Sequence, residues 1–183
     1  EVKKIEGERP SLWLYIHGHS HHYAITASRE ADILLPDAEK FSAIDAMLCG
    51  NFRHNDQDKF NEAWQAKIYP DHGWGGKGGE VTDRLFLDKL IESRAEASYL
   101  LEGSLKRIAS KIKFRAGEVP VVIFNGLNWK RSDPVSFNYI FNKGEAFDLN
   151  IVDENQNQVG FQTDNCRYYY DGSLQSCTIN FVA

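Results

Sequence analysis

Tyr69-Pro70-Asp71-His72-Gly73-Trp74-Gly75-Gly76-Lys77-Gly78-Gly79 concentrates more unusual chemistry than any other stretch of the sequence. Five glycines in seven positions free the backbone from side-chain sterics, so the chain can turn tightly or lie close to a ligand. One carboxylate, one imidazole and one indole sit among them, at Asp71, His72 and Trp74. An imidazole suits metal ligation or proton transfer, a carboxylate suits a metal or sugar hydroxyls, and an indole suits the apolar face of a ring. The same residues also fit a solvated loop between helices whose Trp tucks into a core. A second group is His17-Gly18-His19-Ser20-His21-His22, four imidazoles in six positions. No carboxylate is interleaved there, and Ser20 reads as the cap of the helix that follows. His17 or His21 as a ligand or substrate contact is the lesser reading.

The elements that must position these residues are mostly helical. Ser11 to Ile16 reads as a short buried strand between Pro10 and Gly18. A first helix is expected from about Ser20 to Cys49, with Ala27, Ala31, Leu34, Ala38, Phe41 and Leu48 forming one apolar stripe. Pro36 predicts a kink near Leu35, and Gly50-Asn51 a stop. Asn55-Asp56 opens a second helix, with Phe60, Ala63, Trp64 and Lys67-Ile68 at helical spacing up to Pro70. After the glycine-rich loop, Thr82 or Asp83 starts a third helix. Its buried face is read from Phe86, Leu90, Ala97, Leu101, Leu105, Ile108 and Ile112. Three amphipathic helices with short connections pack as an antiparallel bundle.

From Arg115 onward the period changes from helical to alternating. Strands are expected at Val119–Phe124, Trp129–Ile140, Phe147–Val152, Val159–Thr163 and Arg167–Val182. Asn125-Gly126, Asp153 to Asn157 and Asp171-Gly172-Ser173 read as turns. Such spacing suggests part of an antiparallel β-sandwich with open edges. The fold class is therefore a multidomain α+β fragment: a three-helix antiparallel bundle, then a partial β-sandwich.

Composition narrows the function. The 183 residues are 42% hydrophobic and 26% charged, ordinary for a globular protein. A net charge of −5 argues against a nucleic-acid surface, and no apolar run is long enough to span a membrane. Cys49, Cys166 and Cys177 are too few and too scattered for a disulfide framework or a zinc knuckle. Cys166 and Cys177 can face each other across a hairpin, and are read as reduced, half-buried thiols. The absence of an Asn-x-Ser/Thr sequon favours a bacterial origin, in cytoplasm or periplasm. The start at Glu1 without Met, and the end within an apolar run at Phe181-Val182-Ala183, suggest the middle of a longer polypeptide.

Three blocks together carry a resemblance. They are Leu12-Trp13-Leu14-Tyr15-Ile16-His17-Gly18 running into His21 to Ile25 and Ala38 to Phe41, then Ile68 to Gly76, then Val121-Val122-Ile123-Phe124-Asn125-Gly126-Leu127-Asn128-Trp129-Lys130-Arg131. In order and spacing they resemble glycoside hydrolase family 38, the zinc-dependent retaining α-mannosidases. The likeness implies three parts: 1–19 as the last strand and turn of an α/β catalytic domain, 20–115 as the middle three-helix domain, and 116–183 as the start of the C-terminal β-domain.

By the same likeness, His72 matches the family's last zinc ligand, which comes from the loop before the third bundle helix. The likeness places the aspartate nucleophile and the His-x-Asp pair that supplies most of the zinc ligands upstream of the first helix, in the family's catalytic domain, so no catalytic residue is assigned. Many members have paired His followed by Asp in that loop. Here Asp71 precedes His72 and Gly73 follows it, which leaves Asp71 as a candidate substrate contact and Trp74 as a candidate floor for the sugar. Gly18-His19-Ser20 also stands where Gly-Pro-Thr is expected. The implied partners are an oligosaccharide or α-mannoside and the remainder of the same polypeptide, with zinc as cofactor. The chain by itself is expected to be inactive. Two other classes stay open: a carbohydrate-binding or interaction module using Tyr168-Tyr169-Tyr170 and Trp129, and a structural spacer with Trp74 and His72 buried.

Overall fold

A computed structural model describes residues 21–52, 56–69, 79–115 and 117–183. The expected strand at Leu12–Ile16 lies outside them. The chain divides after Gly126 into two compact units.

The first unit holds three helices, α1 (His22–Cys49), α2 (Gln57–Ile68) and α3 (Glu80–Ala109). Helix α1 continues through Pro36 and ends where Gly50 takes a left-handed φ of 61°, returning its N–H to the carbonyls of Ala46 and Met47. The Asp56 side chain caps α2 by accepting from the Lys59 N–H at 3.3 Å. Helix α3 begins at Glu80, before the expected Thr82 or Asp83, so both Glu80 and Asp83 fall in its first turn. Negative charge there meets the positive end of the helix dipole, which accounts for a start with no side-chain cap.

The interior is built in layers that rise together along α1 and α3. Ala24 and Ala27 meet Phe86 and Leu90. Ala31 and Leu35 meet Ala97, with Ala63 from α2. Ala38 meets Leu100, with Phe60 from α2. Residue numbers climb together on α1 and α3 and fall on α2, so α1 and α3 run the same way and α2 runs against both. Ion pairs repeat the order: Glu30 with Arg94 at 2.8 Å, Asp32 with Lys67 at 3.0 Å, and Lys59 with Glu96 at 3.0 Å.

The buried stripes differ from the expected ones in phase. On α1, Leu48 is exposed while Ser42, Asp45 and Ala46 are buried. On α2, Ala66 is buried and Ile68 exposed. On α3 the line runs Phe86, Leu90, Ser93, Ala97, Leu100, Ser104, and Ile112 lies beyond the helix end. Alternating steps of four and three follow the helical period closely, and they select small residues over the large ones nearby. Buried Asp45 accepts from the Arg107 guanidinium and from the Cys49 thiol at 3.2 Å.

Val119–Phe124, expected as a strand, joins no ladder. Phe124 packs edge-on to Phe41 at 5.5 Å between ring centroids, and the Lys40 ammonium donates to the Gly126 carbonyl. Gly126 is not a left-handed turn residue. A Cβ there would lie 2.7 Å from Asp37 Oδ1, so glycine permits a close approach to α1.

The second unit is a three-stranded antiparallel sheet of β1 (Pro134–Ile140), β2 (Phe161–Tyr168) and β3 (Leu174–Val182), in the order β1-β3-β2. Pro134 pairs with Val182 and Ile140 with Ser176 on one side; Phe161 pairs with Phe181 and Tyr168 with Leu174 on the other. One face is apolar, with Phe141, Leu174, Cys177 and Ile179 at its centre. Ala146, Leu149 and Ile151 cover that face. Residues 147–152, expected as a strand, therefore serve mainly as a lid of apolar contacts, with one isolated bridge from Val152 to Gln158. The other face is polar: the Thr178 hydroxyl donates to Asn138 at 2.6 Å, and Asn180 donates to Asp164 at 2.8 Å.

Asp153 closes the turn to Asn157, its carboxylate accepting from the N–H groups of Asn155 and Asn157 at 2.8 Å each and from the Asn157 amide at 2.9 Å. Those bonds, the Asn157 side chain first, hold its carboxyl below the ordinary value of 3.8. Asp171 is held low in the same way, chiefly by the Ser173 hydroxyl. A folded value below the unfolded one gives stability that is whole above the ordinary carboxyl range and is lost as pH falls through the folded value. Asp153→Asn should therefore flatten the acid limb of the second unit's stability, read as chemical denaturation midpoints between neutral pH and about pH 2. In the first unit, Phe60→Ala should lower stability by about 3–5 kcal/mol with an unchanged urea m-value, because Phe60 is 1% exposed between two helices.

Candidate functional site

Asp71, His72 and Trp74, the three residues singled out for zinc and sugar contact, lie outside the described residues, as do His17, His19 and Ser20. The residues bordering them are described. Tyr69 closes α2, its N–H bonded to the Gln65 carbonyl at 2.9 Å, and Gly79 precedes α3, its carbonyl accepting from the Asp83 N–H at 2.9 Å. The Tyr69 ring meets Phe86 of α3 edge-on, 6.0 Å between centroids. Both borders of the glycine-rich stretch are thus held at the end of the helical unit where α2 finishes and α3 begins.

Helix α1 begins at the same end. His21 Nε2 lies 3.1 Å from Asp83 Oδ2, with the two side chains 11% and 26% exposed. The His22 ring packs on Tyr23 at 3.7 Å between centroids. The His21–Asp83 contact spans 62 residues and is set by the parallel course of α1 and α3. The sequence marks His21 as a lesser candidate and Asp83 only as a possible helix start. The carboxylate partner that the histidine cluster lacks in sequence is supplied from another helix. A carboxylate against an imidazole fixes the ring's orientation and tautomer, the arrangement that prepares a histidine for ligation or proton transfer.

Among the described residues no group of three or more His, Cys, Asp or Glu side chains is placed to hold a metal ion. A structural zinc site takes four ligands, and a catalytic one takes three from protein. His72, the one ligand that the resemblance assigns to this chain, falls short of either by itself.

Elsewhere, a groove of about 370 Å³ lies beside α2 and α3, lined by Asp56, Lys59, Tyr99, Glu102, Lys106 and Arg107. Its cations already have partners. Lys106 pairs with Glu102 at 3.1 Å, Arg107 with Asp45, and Lys59 with Glu96 while lying 4.6 Å over the Tyr99 ring. The hydrogen bond to Glu96 raises the Lys59 ammonium above its ordinary pKa. This is a solvated, charge-neutralised surface rather than an anion site.

The three tyrosines separate in role. Tyr169 is part-buried and its hydroxyl donates to the Phe141 carbonyl at 3.1 Å, tying the β2–β3 turn to the core. Tyr168 and Tyr170 are exposed, as is Trp129. No family model, characterised protein or solved structure matches the chain.

The His21–Asp83 pair has a measurable energy. A double-mutant cycle with His21→Ala and Asp83→Ala, followed by urea unfolding at neutral pH, should return a coupling of about 0.5–1.5 kcal/mol.

Proposed function

We propose that this chain is the central part of a zinc-dependent retaining glycoside hydrolase acting on α-mannosides. It would contribute the three-helix bundle and the opening strands of a β-sandwich to such an enzyme. The observation that carries the reading is the order of the three sequence blocks, with the Tyr69–Gly79 stretch falling between the second and third helices. In support, Tyr69 and Gly79, which border the segment containing His72 in the sequence, lie at the helical end where His21 and Asp83 meet.

On this reading His72 supplies one zinc ligand, Asp71 contacts sugar hydroxyls, and Trp74 floors the ring. The two carboxylates a retaining glycosidase needs, about 5 Å apart, come from polypeptide outside this chain. Zinc, when bound, would supply positive charge against sugar hydroxyls and help distort the ring. What this chain itself does is binding and positioning.

The exposed rings of Tyr168 and Tyr170 favour a second reading, a carbohydrate-binding module without zinc, since flat exposed aromatics suit the apolar face of a sugar.

Two measurements separate the readings. The 183-residue chain alone should not hydrolyse an aryl α-mannoside, and turnover by it would overturn the assignment. In a longer polypeptide with activity, His72→Ala should lower both bound zinc and hydrolysis by at least about 100-fold. Unchanged zinc content and activity would leave the module reading, for which Tyr168→Ala with Tyr170→Ala should abolish sugar binding.

A further inference from the structure

The second unit contains a pair of thiols that the proposed function does not use. Cys177 sits at the centre of β3, 2% exposed, on the apolar face of the sheet. On the β2 side, Asp164 pairs with Thr178 and Arg167 with Ser176, so two residues, Asn165 and Cys166, stand opposite Cys177 alone. This is a β-bulge, and Asn165 takes the left-handed φ of 52° that such an extra residue requires. Strand alternation would otherwise put residue 165 on the apolar face. The extra residue moves that place to Cys166, which packs into the same apolar cluster as Cys177 while staying half-buried.

Residues directly opposed across antiparallel strands have Cα atoms roughly 4.5–5.5 Å apart, inside the range a disulfide spans. Both side chains belong to that one cluster, where burial first and the neighbouring Cys166 second push the Cys177 thiol up, and the Cys166 thiol donates to the Asp164 carbonyl at 3.9 Å. Both are free cysteines here.

We propose that Cys166 and Cys177 form a reversible disulfide across the β2–β3 bulge, made by exchange with a low-molecular-weight disulfide. Cys166, the more exposed, reacts first. Its thiolate attacks one sulfur of the incoming disulfide, forming a mixed disulfide and releasing one small thiol. The Cys177 thiolate then attacks the Cys166 sulfur and expels the second small thiol. The two protein thiols lose two protons and two electrons, and the small disulfide is reduced to two thiols. The product bond locks the edge strand β2 to the central strand β3.

The test treats the 183-residue chain with oxidised glutathione, unfolds it under acid quench, alkylates free thiols with a maleimide and digests with trypsin. Alkylated thiols should fall from three to one, the survivor being Cys49. Trypsin cuts after Arg167, between the two cysteines, so peptides 144–167 and 168–183 should stay joined until a reductant separates them. Cys49→Ser should leave the linkage intact. Cys166→Ser, which spares the buried core position, should abolish it and leave Cys177 alkylated. Three alkylated thiols at the end, a product that stops at glutathionylated Cys166, or a linkage found between two chains would each overturn the proposal.

Discussion

The helical unit depends on close approach along a seam of small residues. Ala24, Ala27, Ala31, Ala38 and Ala46 of α1 are buried, as are Ala63 and Ala66 of α2 and Ser93, Ala97 and Ser104 of α3. Separation between helix axes follows the side chains at the contact, so short side chains let the three axes converge. Short side chains also bury little apolar surface each. Cohesion therefore rests on a few large residues set between them, Leu35, Phe60, Phe86 and Leu90. Exposed ion pairs at the margin contribute little energy, yet each joins positions that coincide in a single register. Asp45 is the exception, a carboxylate with no exposure whose charge is met by Arg107. Removing one partner of such a contact costs more than the contact contributes, which makes it a strong discriminator of register.

The sheet unit solves a different problem. Three strands have two faces and two edges, while the apolar residues suffice for one face. The segment after β1 folds over that face with Ala146, Leu149 and Ile151. The opposite face is polar and cross-bonded through Asn138, Thr178, Asp164 and Asn180, so it can remain wet. At the β2 edge the bulge at Asn165 interrupts regular pairing, one of the ways natural sheets blunt an edge.

The helices were legible because their period is long and their stops are chemical. Gly50 and Asp56 do what their residue types imply. Phase was harder to read. Large apolar residues draw the eye, and Leu48 and Ile68 were placed inside where Asp45 and Ala66 belong. Nothing local marks Asp45 as buried, since the cation that meets its charge, Arg107, is 62 positions away. His21 and Asp83 escaped pairing for the same reason. Phe147–Val152 looked like a strand because an apolar run that covers a sheet and one that joins it share a composition. For Asp71, His72 and Trp74 the sequence indicated which chemistry the side chains can do, while their neighbours are a matter of tertiary geometry beyond the described residues.

That geometry is constrained from both sides. A nine-residue segment with free ends would lose much conformational entropy on closing around a ligand. Here the ends are already fixed: Tyr69 by its helix and by Phe86, Gly79 by the first turn of α3. The packing of α2 on α3 thus meets the entropic cost of bringing the two ends together. Glycine in such a stretch permits approach of backbone to ligand without the steric cost of a Cβ.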